Sequence, residues 1–157
     1  MKINFWSVGK VHEPYVKEGI ETFSKRISHY YPVEWKLIPS VKNASGLSTE
    51  DLKKGESEII LPLLKADDIL IVLDEKGKQL TSGQLAELIQ TNANKSTKKM
   101  VFLVGGAFGV NENVIRRADY VWSLSQLVFP HQLVRLILAE QVYRACTILR
   151  NEKYHHS

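Results

Sequence analysis

Sulfur is scarce in this chain: one cysteine, Cys146, and two methionines among 157 residues. A single thiol excludes an internal disulfide and a multi-thiolate metal centre, and it suits a reducing compartment, so a cytoplasmic location without a bound metal is expected. Long apolar runs are absent too. None approaches the roughly 18 residues of a membrane span, and the opening MKINFWSVGK lacks the apolar core of a secretory leader. Excess charge is small: 21 Lys and Arg against 17 Asp and Glu leave a net +4. That balance permits a polyanionic partner without requiring one. No internal repeat or linker interrupts the chain, so one domain over 1–157 is expected.

What is present alternates. INFWSV reads as a first strand closed by Gly9, and Pro14 opens a helix whose Val16, Ile20, Phe23, Ile27 and Tyr30 share a face. VEWKLI (33–38) is a second strand stopped by Pro39, followed by SVKNASGLS as a mobile loop. Ser48 caps a helix carrying Leu52, Ile59 and Leu63, ended or kinked by Pro62. DDILIVLD (67–74) and KMVFLV (99–104) are continuous apolar runs, the mark of strands buried on both faces. Between them lie a loop, EKGKQLTS, and a helix with Leu85, Leu88 and Ile89. VNENVIRRA forms a short helix, YVWSLS (120–125) a last strand, and Pro130 to about Arg150 a long closing helix. Such alternation predicts an α/β protein, with a mostly parallel sheet of five to six strands flanked by helices on both faces. Ligands of these sheets bind beyond the carboxyl ends of the strands, here Leu73-Asp74, Gly105-Gly106 and Leu124-Ser125.

The glycines in VFLVGGAFGV (101–110) match neither phosphate cradle. A dinucleotide fingerprint needs G-x-G-x-x-G after the first strand, and a P-loop needs a Lys after its last glycine. Two readings stand: a simple strand-to-helix turn, or bare backbone against which an adenine and ribose lie. The loop SQLVF is apolar where a solvent loop would be polar, either because it packs down or because it clasps a ligand. The closing helix is apolar nearly all round, which a surface helix of a monomer is not, so a homodimer through this helix is expected. Its charges are few. His131 and Arg135 are i,i+4 neighbours, as are Glu140 and Arg144, the latter an ordinary ion pair or a functional one.

MKI and VGK at the start, LDEKGK at 73–78, FLVGGAFG at 102–109, WSLSQLVFPHQLVRLILAEQVYRA at 122–145 and the terminal YHHS carry a resemblance over essentially the whole chain. They resemble the small SPOUT-class RNA methyltransferases, the RlmH type, which methylate N3 of a pseudouridine in large-subunit (23S) ribosomal RNA. The resemblance implies an α/β (trefoil) knot and S-adenosyl-L-methionine as cofactor. Leu73 and Gly105 would line its pocket, and Leu124, Ser125, Gln126, Leu127, Val128 and Phe129 would wrap it. The substrate implied is large-subunit ribosomal RNA in the assembled ribosome.

Methyl transfer from a sulfonium mainly requires N3 held near attack distance and relieved of its proton. Glu140, His131 and His155 are the candidate bases, although His131 also reads as a plain helix-start histidine. Arg135, Arg144, Tyr154 and His155 are candidate RNA contacts, through phosphates and stacking. The short tail after Arg150 either frays or closes a site across the dimer. Two rivals remain open at this level. A nicotinamide oxidoreductase lacks its early fingerprint, and a non-enzymatic RNA-binding or ribosome-assembly protein would need no cofactor pocket.

Overall fold

The computed structural model describes residues 1–156; Ser157, the last residue of YHHS, lies outside the described residues. Five strands form one sheet: β1 (Lys2–Val8), β2 (Val33–Ile38), β3 (Ile69–Gln79), β4 (Lys99–Val104) and β5 (Tyr120–Ser123). Their order is β2-β1-β4-β3-β5, and every neighbouring pair is parallel. The two runs expected inside the sheet are inside it. β4 occupies the centre with Met100 to Val104 buried, and β3 lies beside it with Leu70, Ile71 and Val72 at or near zero exposure.

Five helices cover the two faces: α1 (Pro14–Ile27), α2 (Thr49–Ile60), α3 (Ser82–Asn94), α4 (Glu112–Arg117) and α5 (His131–Leu149). Ile27 of α1, Leu85 and Ile89 of α3, and Leu138, Val142 and Cys146 of α5 bury against Ile3, Phe5 and Phe102. On the opposite face Ile60 of α2 and Val114 of α4 bury against Val8, Leu70 and Val101. Local chemistry sets the boundaries. Pro14 occupies the first turn of α1, the Ser48 hydroxyl accepts from the Asp51 amide at 3.1 Å, and Thr81 with Gln84 forms a reciprocal capping box.

Three expectations change. EKGKQ is not loop: β3 runs on to Gln79, and Lys78 and Gln79 pair with Trp122 and Ser123 after a register irregularity that begins at Leu73. Gly77 makes this possible, since a Cβ there would stand 2.6 Å from the Val121 carbonyl oxygen. Charged side chains in this extension point outward, so a polar segment still finds a backbone partner. β5 ends at Ser123 rather than 125, and the 40–48 segment contains a tight 3-10 turn at Ala44–Gly46 after Asn43, whose φ is 58°.

α5 lies between α1 and α3 on the sheet, so its own chain covers much of its apolar surface. Leu138, Ala139, Val142, Ala145 and Cys146 are buried. Leu133, Leu136 and Ile137 stay partly exposed. The all-round apolar pattern therefore has an intramolecular cause.

Candidate active site

The strand order turns back beside β1: β2 lies on one side of it, and β4, β3 and β5 extend on the other. Parallel sheets bind ligands where the strand order changes direction, at the carboxyl ends of the strands. Gly9 follows β1 there, with φ +118°, and Gly105 and Gly106 follow β4. The Gly106–Gly109 segment is a tight turn closed by the Gly109 amide on the Gly106 carbonyl at 3.0 Å, with Gly109 at φ +84°.

Packing within the chain itself requires glycine at 105. A Cβ there would meet Val110 Cγ1 at 2.6 Å and the Gly109 carbonyl group at 3.2 Å. The missing side chain lets the turn fold upon itself. At Gly106 the neighbour is a carboxylate: Glu56 Oε2 stands 2.7 Å from where a Cβ would lie. Asp74 Oδ2 lies 3.6 Å from the corresponding point on Gly109. Two carboxylates, one from α2 and one from β3, therefore face this turn.

Leu73 ends the regular part of β3 and pairs with Val104 and Trp122, which puts it beside the same strand ends. Leu124 packs on the core, and Ser125 turns the chain by accepting the Leu127 amide at 3.0 Å. The apolar loop is not packed down: Leu127 is 72% and Val128 92% exposed, with Gln126 exposed beside them. Within it only Ser125 and Phe129 are half-buried.

α5 starts beside this loop. His131 is half-buried with Nε2 enclosed and lacking a hydrogen-bond partner. Burial, with Arg135 adjoining, holds its imidazole below the usual histidine range, so it is neutral at pH 7. Arg135, expected at the RNA, is instead 2% exposed. Its Nη1 donates to the Lys10 carbonyl at 2.8 Å and lies 3.2 Å from His12 Nδ1, tying the loop after β1 onto α5. A guanidinium held this way cannot reach a phosphate on the surface, so that assignment is corrected to a structural one. Gln132 completes the tie, accepting from the Glu13 amide and donating to the Val11 carbonyl.

The other four polar candidates come together. Glu140 Oε1 accepts from Arg144 Nη2 at 2.6 Å, from Arg144 Nε at 3.0 Å and from the Tyr154 hydroxyl at 3.0 Å. The Arg144 guanidinium lies 4.8 Å from the Tyr154 ring centre, and its Nη1 is 3.3 Å from His155 Nδ1. Arginine only donates, so a hydrogen bond in this contact has Nδ1 as its acceptor. Tyr154 also packs on Tyr143 at 4.7 Å, and Glu152 accepts from Tyr30 at 2.7 Å. The tail is thus folded back on its own α5 and not frayed. Glu140 Oε1 thus orients Arg144 and Tyr154, and its Oε2 accepts from Gln141 Nε2 at 2.9 Å.

Reasoning from sequence missed Glu56. Its signal was a carboxylate at 4-4 spacing between Leu52 and Ile60, inside the apolar stripe of α2. Among the described residues no group of His, Cys, Asp or Glu could hold a metal ion, and no helix is long and apolar enough to cross a membrane.

The family described as "Predicted SPOUT methyltransferase" matches residues 1–155. A protein of Cytophaga hutchinsonii named "Ribosomal RNA large subunit methyltransferase H" is 44% identical over 156 residues, covering 99% of this chain and 100% of the relative. One of the same name from Parabacteroides distasonis is also 44% identical, covering 99% of each chain. Among solved structures, a "probable methylase family protein" of Haemophilus influenzae shares the fold with a TM-score of 0.54 at 12% identity, covering 99% of this chain and 70% of that one.

Proposed function

This chain belongs to the SPOUT methyltransferase family, and from that premise we propose that it methylates N3 of a pseudouridine in large-subunit ribosomal RNA with S-adenosyl-L-methionine. The observation that carries the reading is identity of 44% along the full length of proteins named for large-subunit ribosomal RNA methylation. The substrate form proposed is the assembled ribosome, in the cytoplasm, and the knot belongs to the same reading.

The strand ends suit the cofactor. A tight glycine turn offers bare backbone, Glu56 and Asp74 offer acceptors for its hydroxyls and amino groups, and exposed Leu127 and Val128 offer apolar cover. Bound there, S-adenosylmethionine supplies a sulfonium methyl group already activated for displacement. The protein's task is then to orient the nucleobase and manage the N3 proton. His131, neutral and next to the loop in sequence, is the base in this reading, its enclosed Nε2 being uncovered when the substrate binds. Arg144, Tyr154 and His155 suit a phosphate and a stacked base, with Glu140 holding the first two in place.

Geometry also supports the dimer. At 1.5 Å per residue, Glu140 and Arg144 lie about 14 to 20 Å along α5 from His131. One chain alone does not unite its loop with its tail cluster. A second copy covering Leu127, Val128 and the exposed edge of α5 would bring one copy's tail to the other's loop.

The test is tritiated methyl transfer to ribosomes lacking the modification, with base analysis of the product, beside calorimetry with S-adenosylmethionine, S-adenosylhomocysteine and NAD. Labelled N3-methylpseudouridine and affinity for the first two ligands are expected. Affinity for NAD alone, or binding of ribosomes with no transfer, would overturn the reading.

A further inference from the structure

Burial of a carboxylate without a partner is costly, because the charge loses its hydration and gains nothing in return. Glu56 is in that position. It is 6% exposed and has no side-chain hydrogen bond or ion pair among the described residues, its oxygens keeping only a narrow contact with solvent. α2 could have carried an apolar residue there, since Leu52 precedes it and Ile60 follows it on the same stripe. Its two oxygens instead stand 2.7 and 2.9 Å from the point where a Cβ on Gly106 would lie. The carboxylate is therefore pressed against bare backbone at the carboxyl end of the central strand, and any side chain at 106 would push it away. Nothing in the protein uses its lone pairs, and a ligand lying on that glycine backbone would meet them first.

We propose that Glu56 is a binding residue for the nucleoside half of the cofactor, its carboxylate accepting a hydrogen bond from a ribose hydroxyl or the adenine amino group. Two kinds of donor on the nucleoside fit this chemistry, a ribose hydroxyl and the adenine amino group. A hydrogen bond to a charged acceptor is the kind that discriminates most sharply against an analogue lacking the donor, because loss of the donor leaves a buried charge unpaired. Asp74, at the Gly109 side of the same turn, already accepts the Lys76 amide at 2.9 Å and has a competing engagement.

The inference rests on the cofactor reading above, and the experiment separates the two. Wild-type protein is titrated by calorimetry with S-adenosylhomocysteine and with S-inosylhomocysteine, which replaces the amino group, and by NMR with adenosine and 2′,3′-dideoxyadenosine. The same set is run on Glu56→Gln and Glu56→Asp. Wild type should bind S-adenosylhomocysteine and lose at least about tenfold affinity for one of the two analogues, which identifies the donor. Glu56→Gln should lose that discrimination, and Glu56→Asp should keep part of it. Retention of full discrimination by a folded Glu56→Gln, or none in wild type, overturns the assignment while leaving the cofactor reading standing. Failure of wild type to bind any of the adenosyl ligands overturns both.

Discussion

Tyr154 tests whether the tail cluster serves RNA or merely closes the end of α5. In the folded chain its hydroxyl gives Glu140 one of four side-chain hydrogen bonds, its ring packs on Tyr143, and the Arg144 guanidinium lies 4.8 Å from the ring centre. Tyr154→Phe removes only the hydroxyl. Arg144 still gives Glu140 two hydrogen bonds, so the loss sits at the low end for a charged acceptor, about 1 kcal/mol. Tyr154→Ala also removes the half-buried ring and its cation–π contact, and about 2 kcal/mol is expected. Both variants should stay folded in urea titrations, with an unchanged slope and a lowered midpoint. Calorimetry should find S-adenosylhomocysteine affinity within twofold of wild type, since the cluster lies along α5 away from the glycine turn. Methyl transfer to unmodified ribosomes should respond differently. Tyr154→Phe is expected to keep a third or more of the rate, and Tyr154→Ala to lose at least about tenfold, the equivalent of 1.4 kcal/mol in the transition state. A folded Tyr154→Ala with full transfer activity would refute the proposed role, leaving the tail a purely structural clasp.

Other predictions follow from single contacts. Gly105→Val should lose roughly 1–3 kcal/mol of stability in urea titration as well as cofactor binding, because its side chain collides with Val110 and the Gly109 carbonyl; an undiminished midpoint would contradict that packing. Burial and the Glu152 hydrogen bond push the Tyr30 hydroxyl up to about 12, above its usual 10. The native state thus keeps this proton longer than the unfolded chain, so its stabilisation is full below pH 10 and is lost as pH rises from 10 to 12. Tyr30→Phe should accordingly show a flatter stability profile across that window, measured by urea midpoints at each pH. For Glu56, burial raises the carboxyl above the usual range. Its contribution is then full below the unfolded carboxyl range and falls as pH rises through the native value, so Glu56→Gln should gain midpoint relative to wild type between pH 4 and pH 7. A loss instead would mean that the protein itself supplies Glu56 with a partner.

Sequence alone determined the elements that depend on neighbours along the chain. Apolar periodicity placed α1, α2, α3 and α5, and continuous apolar runs placed β3 and β4 inside a parallel sheet, because burial on both faces leaves no polar alternation to select. Pro14 and Ser48 marked helix starts for the same local reason. The i,i+4 pair of Glu140 and Arg144 was legible as well, since helix geometry brings those positions together wherever the helix lies. Contacts across the chain were decided only by tertiary structure. EKGKQ became strand because β5 approached Gly77, a long-range backbone pairing that no local pattern encodes. Arg135 looked like a surface cation until the loop after β1 folded over it and supplied carbonyls. Tyr154 and His155 gained Glu140 and Arg144 only through the chain's return on α5, and Glu56 reached Gly106 only when α2 packed on the face of β4. Side-chain chemistry is written in the sequence, but the partner that gives it a role arrives with the packing.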